Sequence, residues 1–190
     1  MRTFIAIELP QEVKNALVKL QEQLRKTGAD VNWVQPNNIH LTLKFLGEID
    51  EKKLDKINSI LEKAAKEYSC FQAEISTLGA FPKINYPRVI WVGIEKGGIE
   101  IKKIVQELEE QIEKIGIAKE SRPFSTHITI ARVRSALNQQ ALAQELNQLI
   151  HYFDEKKLQF KARGITLFKS ILGHGGAAYE PLKVINLKDS

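Results

Sequence analysis

Apolar residues recur every three or four positions in four stretches of the chain, which is the spacing of amphipathic helices. The first stretch follows Pro10, which is favourable in a first helical turn, and stops before Gly28, a residue typical of helix ends. Polar and charged residues occupy the other positions, as expected for a solvent-facing side. The predicted helices cover residues 13–24, 54–64, 99–115 and 138–150.

Alternating and β-branched stretches predict strands between these helices. Several neighbouring strands are joined by short turns, which favours antiparallel or mixed pairing, and we expect GAFPKINYPR at 79–88 to form a loop. No linker divides the chain, so the sequence predicts one domain, 1–190, in which helices cover sheets. The predicted strands are MRTFIAIELP, 31–34, 39–46, 71–78, 88–94, 127–133, and 158–172 joined to 178–187 through the turn GHGG.

Charge and cysteine content narrow the classes of function. The net charge of +5 and the pI near 9.2 suit an anionic ligand such as nucleic acid. The single cysteine, Cys70, has no partner for an internal disulfide, and no cysteine cluster suggests a zinc site. The apolar run at the N-terminus is too short for a signal peptide or a membrane span. We therefore expect a cytoplasmic protein.

Two stretches repeat a histidine followed two residues later by a threonine: HLTLKFLG at 40–47 and HITIAR at 127–132. In a strand, residues two apart share one face, so His40 and Thr42 lie together, as do His127 and Thr129. They are about 6–7 Å apart along the strand, close enough to contact one phosphate-sized group. One copy alone is typical of any polar strand face; two copies favour a paired phosphate site.

These motifs, with RTFIAIELP near the start and LFKSILGHGGAAYEPL near the end, resemble RNA 2′,3′-cyclic phosphodiesterases of the ThpR/LigT type, within the two-histidine phosphoesterase superfamily. The resemblance spans essentially the whole chain. It implies an α+β, bilobal fold in which two pseudo-symmetric lobes, with central antiparallel sheets and helices outside, flank a groove that holds both motifs. It also implies hydrolysis of 2′,3′-cyclic phosphate ends of RNA or nucleotides to 2′-phosphates, and a capacity for 2′-5′ RNA ligation.

The chemistry of such a reaction requires a base for water and an acid for the departing ribose oxygen. Two imidazoles can fill both roles near neutral pH without a metal or cofactor, while threonine hydroxyls hold phosphate oxygens. By analogy with the family, His40 is the general acid and His127 the general base, supported by Thr42 and Thr129. The spacing alone leaves the opposite assignment open.

Two other classes of function are consistent with parts of the sequence. A non-enzymatic RNA- or nucleotide-binding module could retain the same groove, because histidine and threonine bind phosphate without chemistry. A zinc hydrolase is disfavoured, because no carboxylate or cysteine stands at ligand spacing within either motif. We expect an RNA-binding monomer that does not associate with membranes.

Further residues are candidates for substrate contact. Lys44 lies four residues after His40, so a regular strand places it on the same face, whereas Arg132 lies five after His127 and a regular strand turns it away. Both are predicted substrate-binding residues. Four aromatic residues could stack on bases, although aromatic residues in apolar strands are more often in the core: Phe45, Tyr86, Trp91 and Phe124. The roles of His174, Tyr179 and Glu180 do not follow from the pattern.

Overall fold

The structure, a computed structural model, describes residues 1–173 and 176–189. Within these residues, no helix has the length and apolar character needed to cross a membrane. The helices are α1 (Gln11–Arg25), α2 (Leu54–Glu67), α3 (Gly98–Glu113), α4 (Gln139–Gln148) and the short α5 (Tyr152–Glu155). The strands are β1 (Arg2–Glu8), β2 (Val31–Trp33), β3 (His40–Glu48), β4 (Phe71–Lys83), β5 (Tyr86–Ile94), β6 (His127–Val133), β7 (Leu158–Ala162), β8 (Gly164–Gly173) and β9 (Gly176–Asn186).

The strands form two antiparallel sheets, in agreement with the predicted α+β, bilobal architecture. Sheet A has the order β3-β1-β8-β9, and sheet B has the order β2-β6-β5-β4-β7. Each motif strand is thus paired with a strand that precedes it by one helix: β3 with β1, and β6 with β5. The repeated unit is therefore strand, helix, motif strand.

The helices connect the two sheets into one body. Helix α1 leaves β1 of sheet A but contacts β6 and β7 of sheet B, whereas α3 leaves β5 of sheet B and contacts β3 of sheet A. One continuous apolar core includes residues from these helices and from both sheets. Because α1 and α3 each pack on the sheet opposite to the strand they follow, the motif strands are held in a fixed relation to each other.

Two predictions about strands are wrong. Residues 79–88, expected to be a loop, are the end of β4 and the start of β5, joined at Ile84 and Asn85. The prolines that suggested a loop, Pro82 and Pro87, face each other across this hairpin where its register shifts. The stretch 158–172, expected to be one strand, divides near Gly164 into β7 and β8, which belong to different sheets. Apolar residues stand at 158, 160 and 162 before the division and at 165 and 167 after it, so the alternation changes phase at Gly164.

Candidate active site

A single groove of about 970 Å³ contains both histidine–threonine pairs. His40 and Thr42 lie on β3, His127 and Thr129 lie on β6, and these two strands contact each other across the junction of the sheets. All four side chains are half-buried, whereas the intervening residues of each motif face the core. The structure thus brings together the four residues predicted to form the site.

A backbone carbonyl two residues earlier holds each histidine ring. Nδ1 lies 2.6 Å from the Asn38 oxygen in His40 and 2.8 Å from the Ser125 oxygen in His127. Because a carbonyl only accepts hydrogen bonds, Nδ1 is the protonated nitrogen in both rings. Nε2 is left for chemistry. In the neutral ring of His40 it accepts a hydrogen bond of 2.9 Å from the Thr42 hydroxyl.

A bulge interrupts β3 directly after its histidine–threonine pair. Thr42 pairs with Ala6 of β1, but the next pair joins Ile5 to Lys44, so Leu43 is the extra residue. A bulge of this kind reverses the faces of the residues that follow it, here as far as Phe45, after which the register with β1 shifts again. The reversal is visible in burial, since positions 43 and 44 are both buried.

The same bulge occurs at the same position of β6. Thr129 pairs with Trp91 of β5, and the next pair joins Ile90 to Ala131, which makes Ile130 the extra residue. The carbonyl oxygen of Ile130 accepts a hydrogen bond of 2.8 Å from the buried side chain of Gln21 in α1. The first six residues of the two strands have the same order of half-buried, buried and exposed positions. The two motifs therefore have the same backbone geometry as well as similar sequences.

The bulges exchange the predicted orientations of Lys44 and Arg132. Lys44 was predicted to share the face of His40, but it shares the face of Ile5 instead. Arg132, predicted to turn away in a regular strand, is exposed and lines the groove with His127. In the first motif the corresponding residue is Phe45, which is 61% exposed and was expected in the core. A one-residue insertion cannot be read from alternation alone.

Lys44 forms a buried ion pair with Glu109 of α3. Nζ lies 2.6 Å from Glu109 Oε2 and donates a second bond of 3.0 Å to the Ala118 carbonyl oxygen. The Lys44 side chain is only 1% exposed, and that of Glu109 is 16% exposed. Glu109 Oε2 also accepts from the Glu120 backbone N–H at 3.2 Å. The pair fixes the segment after α3. The positive charge of Lys44 is neutralised by Glu109 within the protein.

Aromatic rings surround His40. Phe4 stacks on its imidazole with ring centroids 4.8 Å apart, and Tyr179 meets it edge-on at 5.2 Å. Phe168 stacks on Phe4 at 5.2 Å and also lies near the His40 ring, with centroids 6.2 Å apart. These contacts orient the ring and exclude water from it. They also give Tyr179 a place beside the site, whereas Glu180 is exposed.

The surroundings of His127 are similar but more open. Phe81 meets the imidazole edge-on at 5.3 Å, and Trp91 does so at 6.3 Å. The indole of Trp91 lies across Gly79 of β4, where an added Cβ would come within 2.3 Å of the ring. Any larger residue at position 79 would therefore displace the aromatic wall beside His127.

Both histidines are neutral in the free protein near pH 7. Burial lowers the pKa of His40 to about 4, with a further small decrease from the charge of Lys14 and a partial opposing effect of the carbonyl hydrogen bond. Burial is also the main cause that lowers the pKa of His127, and the nearby charge of Arg132 adds to it. Each ring can therefore accept a proton at Nε2.

Sequence reasoning missed several contributors to this site. The supporting carbonyls of Asn38 and Ser125 lie at the same offset from each histidine, so extending the repeat backwards by two residues could have found them. No local sequence pattern indicated the ion pair between Lys44 and Glu109, because these residues are 65 positions apart. His174 lies outside the described residues.

The arrangement defines a class of protein: an α+β fold in which two antiparallel sheets each present one histidine and one threonine to a common groove is that of the two-histidine phosphoesterases. A family model, LigT like Phosphoesterase, matches residues 7–91 and again 92–179, so that each match contains one motif. The chain therefore belongs to the LigT-like phosphoesterase family.

Individual relatives agree with this assignment. An RNA 2′,3′-cyclic phosphodiesterase of Methanocaldococcus jannaschii is 34% identical over 96% of this chain and 99% of its own length. One from Thermotoga maritima is 32% identical, covering 96% and 93%. A crystal structure from Thermus thermophilus has a TM-score of 0.80 at 27% identity, covering 100% and 99%. The crystal structure of E. coli LigT complexed with 3′-AMP has a TM-score of 0.76 at 23% identity, covering 98% and 97%, and supports the fold alone.

Proposed function

We propose that the protein is a metal-independent RNA 2′,3′-cyclic phosphodiesterase that opens the terminal ring to a 2′-phosphate. The observation that carries this proposal is the matched support of two imidazoles: each donates through Nδ1 to a carbonyl, keeps Nε2 for chemistry and lines the same groove. Members of this family and the relatives described above act on the same kind of bond, which supports the choice of substrate.

In the proposed reaction, Nε2 of His127 takes a proton from a water molecule as the water oxygen bonds to phosphorus. The bond from phosphorus to the ribose 3′ oxygen breaks, and that oxygen takes a proton from Nε2 of His40. The products are a 2′-phosphomonoester and a free 3′ hydroxyl. Hydroxyls of Thr42 and Thr129 donate to the non-bridging oxygens and stabilise the charge that develops on them.

His40 must be protonated to act as the acid, although its pKa in the free protein is about 4. A bound phosphate places a negative charge beside Nε2, which raises the pKa of the imidazole toward neutrality. The substrate itself thus supplies the charge that the aromatic surroundings otherwise disfavour. The assignment of acid to His40 and base to His127 follows the family and is part of the proposal.

A 2′-5′ ligation is a second activity of the same geometry. If the 5′ hydroxyl of another RNA replaces water as nucleophile, the same base and acid produce a 2′-5′ phosphodiester. The volume of the groove leaves room beside the cyclic phosphate for such a second strand end. We propose hydrolysis as the main reaction because water is the more abundant nucleophile.

The setting we propose is a monomer that acts on RNA ends in the cytoplasm. Support comes from the basic charge of the chain and from its single cysteine, Cys70, which is buried and unpaired as a reducing compartment allows.

The test is an incubation with an oligonucleotide that ends in a 2′,3′-cyclic phosphate, in excess chelator, with the product isomers resolved. We expect only the 2′-phosphate, formed at an undiminished rate. A 3′-phosphate product, or loss of turnover in chelator, would contradict the proposed chemistry. Binding without any turnover would instead favour the non-enzymatic module.

A further inference from the structure

Gln21 is a polar residue on the buried face of helix α1. It is 2% exposed, and its buried neighbours along the helix are the apolar residues Val13, Leu17, Leu20 and Leu24. An amide in such surroundings costs stability unless its N–H groups are hydrogen-bonded. An apolar residue would fill the same space without that requirement, so the partners of the amide are what distinguish this position.

Two backbone carbonyls from different segments of the chain accept hydrogen bonds from this one amide. Nε2 of Gln21 lies 2.9 Å from the Val34 oxygen and 2.8 Å from the Ile130 oxygen. The amide nitrogen carries two hydrogens, so each carbonyl can take one of them. The Val34 N–H donates to the same Ile130 oxygen at 3.0 Å. These bonds lie just beyond the last pair of the β2–β6 ladder, Trp33 with Ala131.

The bond to Ile130 fixes the backbone directly after the second histidine–threonine pair. Ile130 is the extra residue of the bulge in β6, so no residue of β5 pairs with it. Thr129 precedes it immediately, and His127 belongs to the same strand. At this point the backbone of the motif strand is therefore held by Gln21 and Val34 instead of by β5.

The bond to Val34 fixes the start of the segment that leads to His40. This segment contains the turn Pro36–Asn38, which is closed by a hydrogen bond of 2.8 Å from the Asn38 N–H to the Gln35 oxygen. Helix α1 contacts the same turn. The turn also carries the Asn38 carbonyl that holds the His40 ring. The anchored carbonyl of Val34 is thus connected to His40 through a short, braced stretch of backbone.

Helix α1 is itself attached to the sheet of His40. It begins at Gln11, shortly after β1, and Glu8 at the end of β1 pairs with His40 of β3. Further along, the helix packs on β6. One element therefore starts beside the first histidine and hydrogen-bonds the strand of the second. Val34 and Thr129 both line the groove, so these bonds lie next to the site.

We propose that Gln21 is a positioning residue for the two-histidine reaction, in which its amide fixes the separation of His40 and His127 across the groove. This inference rests on the proposed function. A base and an acid on opposite sides of one phosphorus must be aligned together, and a displacement of about 1 Å is enough to slow such a reaction strongly. Each ring keeps its own carbonyl partner, so loss of the Gln21 amide should disturb the alignment of the two histidines rather than either imidazole alone.

The test is Gln21→Met, which keeps an unbranched side chain of similar length but removes both donors. On an oligonucleotide that ends in a 2′,3′-cyclic phosphate, it should lower kcat about ten-fold, with KM changed by less than about two-fold. In a His40→Ala background only one imidazole remains, so there is no pair to align. The same substitution should then lower the residual single-turnover rate by less than about two-fold. A residue that merely stabilised the fold would not discriminate between the two backgrounds.

Gln21→Glu is the conservative variant. Burial disfavours a charged carboxylate at this position, so the side chain stays protonated and keeps one O–H donor. It should recover part of the kcat that Gln21→Met loses. Because it preserves the size and polarity of glutamine, it also provides the comparison of backgrounds if the methionine variant does not fold.

Gln23→Met is the matched control, since it removes the same group from the same helix. The Gln23 amide donates to Glu145 of α4 at 3.3 Å, and its loss should leave the rate unchanged in both backgrounds. Full kcat in the folded Gln21 variants, or an equal loss in the wild-type and His40→Ala backgrounds, would overturn this inference and leave the phosphodiesterase intact. Failure of the wild type to turn over the substrate would instead refute the proposed function. Circular dichroism confirms folding of each variant.

Discussion

His40 and His127 both lie beside aromatic rings, but His40 is the more enclosed of the two. His40 is enclosed by Phe4 and Tyr179, whereas His127 is flanked more loosely by Phe81 and Trp91. Burial disfavours the charged imidazole, so the more enclosed ring has the more strongly lowered pKa. At pH 7 a group with a pKa of about 4 is protonated in about one molecule in a thousand. The free protein is thus prepared to accept protons, and only bound phosphate prepares it to donate one.

The pH dependence of turnover should report this order of pKa values. The profile of kcat/KM describes free protein, in which one ring must be protonated and the other neutral, so it should be a bell with its maximum below pH 6.5. The profile of kcat should peak at higher pH, because the phosphate anion raises the pKa of both rings in the complex. Steady-state kinetics from pH 4 to 9 checks both profiles, with circular dichroism verifying that the protein is folded. A kcat/KM that increases steadily through pH 8 would disagree.

At the scale of elements, the two bulges decide which side chains the groove receives. Each follows a histidine–threonine pair by one residue and returns position i+5 to the groove, while position i+4 turns to the core. Lys44 still lines the groove, but its side chain is buried and paired with Glu109. Its ammonium links β3 to α3 through Glu109 and holds the segment between α3 and β6 at Ala118.

Removal of Lys44 should destabilise the fold. In Lys44→Ala, the Glu109 carboxylate keeps its burial but loses its partner, and we expect the free energy of unfolding in urea to fall by about 3 kcal/mol. Lys119→Ala is the control: its pair with Glu113 is exposed on both sides, so its loss should leave the free energy of unfolding nearly unchanged. A double variant, Lys44→Met with Glu109→Gln, should recover much of the lost stability. Equal effects of the two single variants would show that the buried pair has no special role.

The elements of the fold could largely be predicted from the chain, because spacing of apolar residues reports helices and strands directly. The exceptions have physical causes. Prolines at a hairpin end resembled a loop at 79–88, and the change of sheet near Gly164 is marked in the sequence only by a one-residue shift in the alternation. The orientation of Lys44 and Arg132 was predicted wrongly because a bulge depends on the partner strand, which the local pattern does not contain. The histidine and threonine of each motif, by contrast, could be placed on one face from the two-residue period of a strand alone.

At the scale of the whole molecule, two related motif strands share one groove, and two helices, α1 and α3, each pack on the sheet opposite to the strand they follow. The family model matches the chain twice, once around each motif, yet each sheet contains strands from both matches, and α1 and α3 each pack on the sheet that does not contain the strand before them. Neither half carries its own complete core, since the apolar cluster runs through both. This arrangement keeps two histidines from distant parts of the chain opposite one phosphate, as a reaction with one acid and one base requires.

The central claim is that these two histidines divide acid and base catalysis between them, and replacement of the 3′ oxygen of the substrate by sulfur tests it most directly. A thiolate leaves without protonation, so it removes the need for a general acid but not for a base. On the normal substrate, His40→Ala and His127→Ala should each lower kcat by a factor of about 100 to 10,000, with folding retained. On the 3′-sulfur substrate, His40→Ala should recover nearly wild-type turnover and His127→Ala should not. Near-normal turnover of the oxygen substrate by either variant, or rescue of neither by sulfur, would contradict the account.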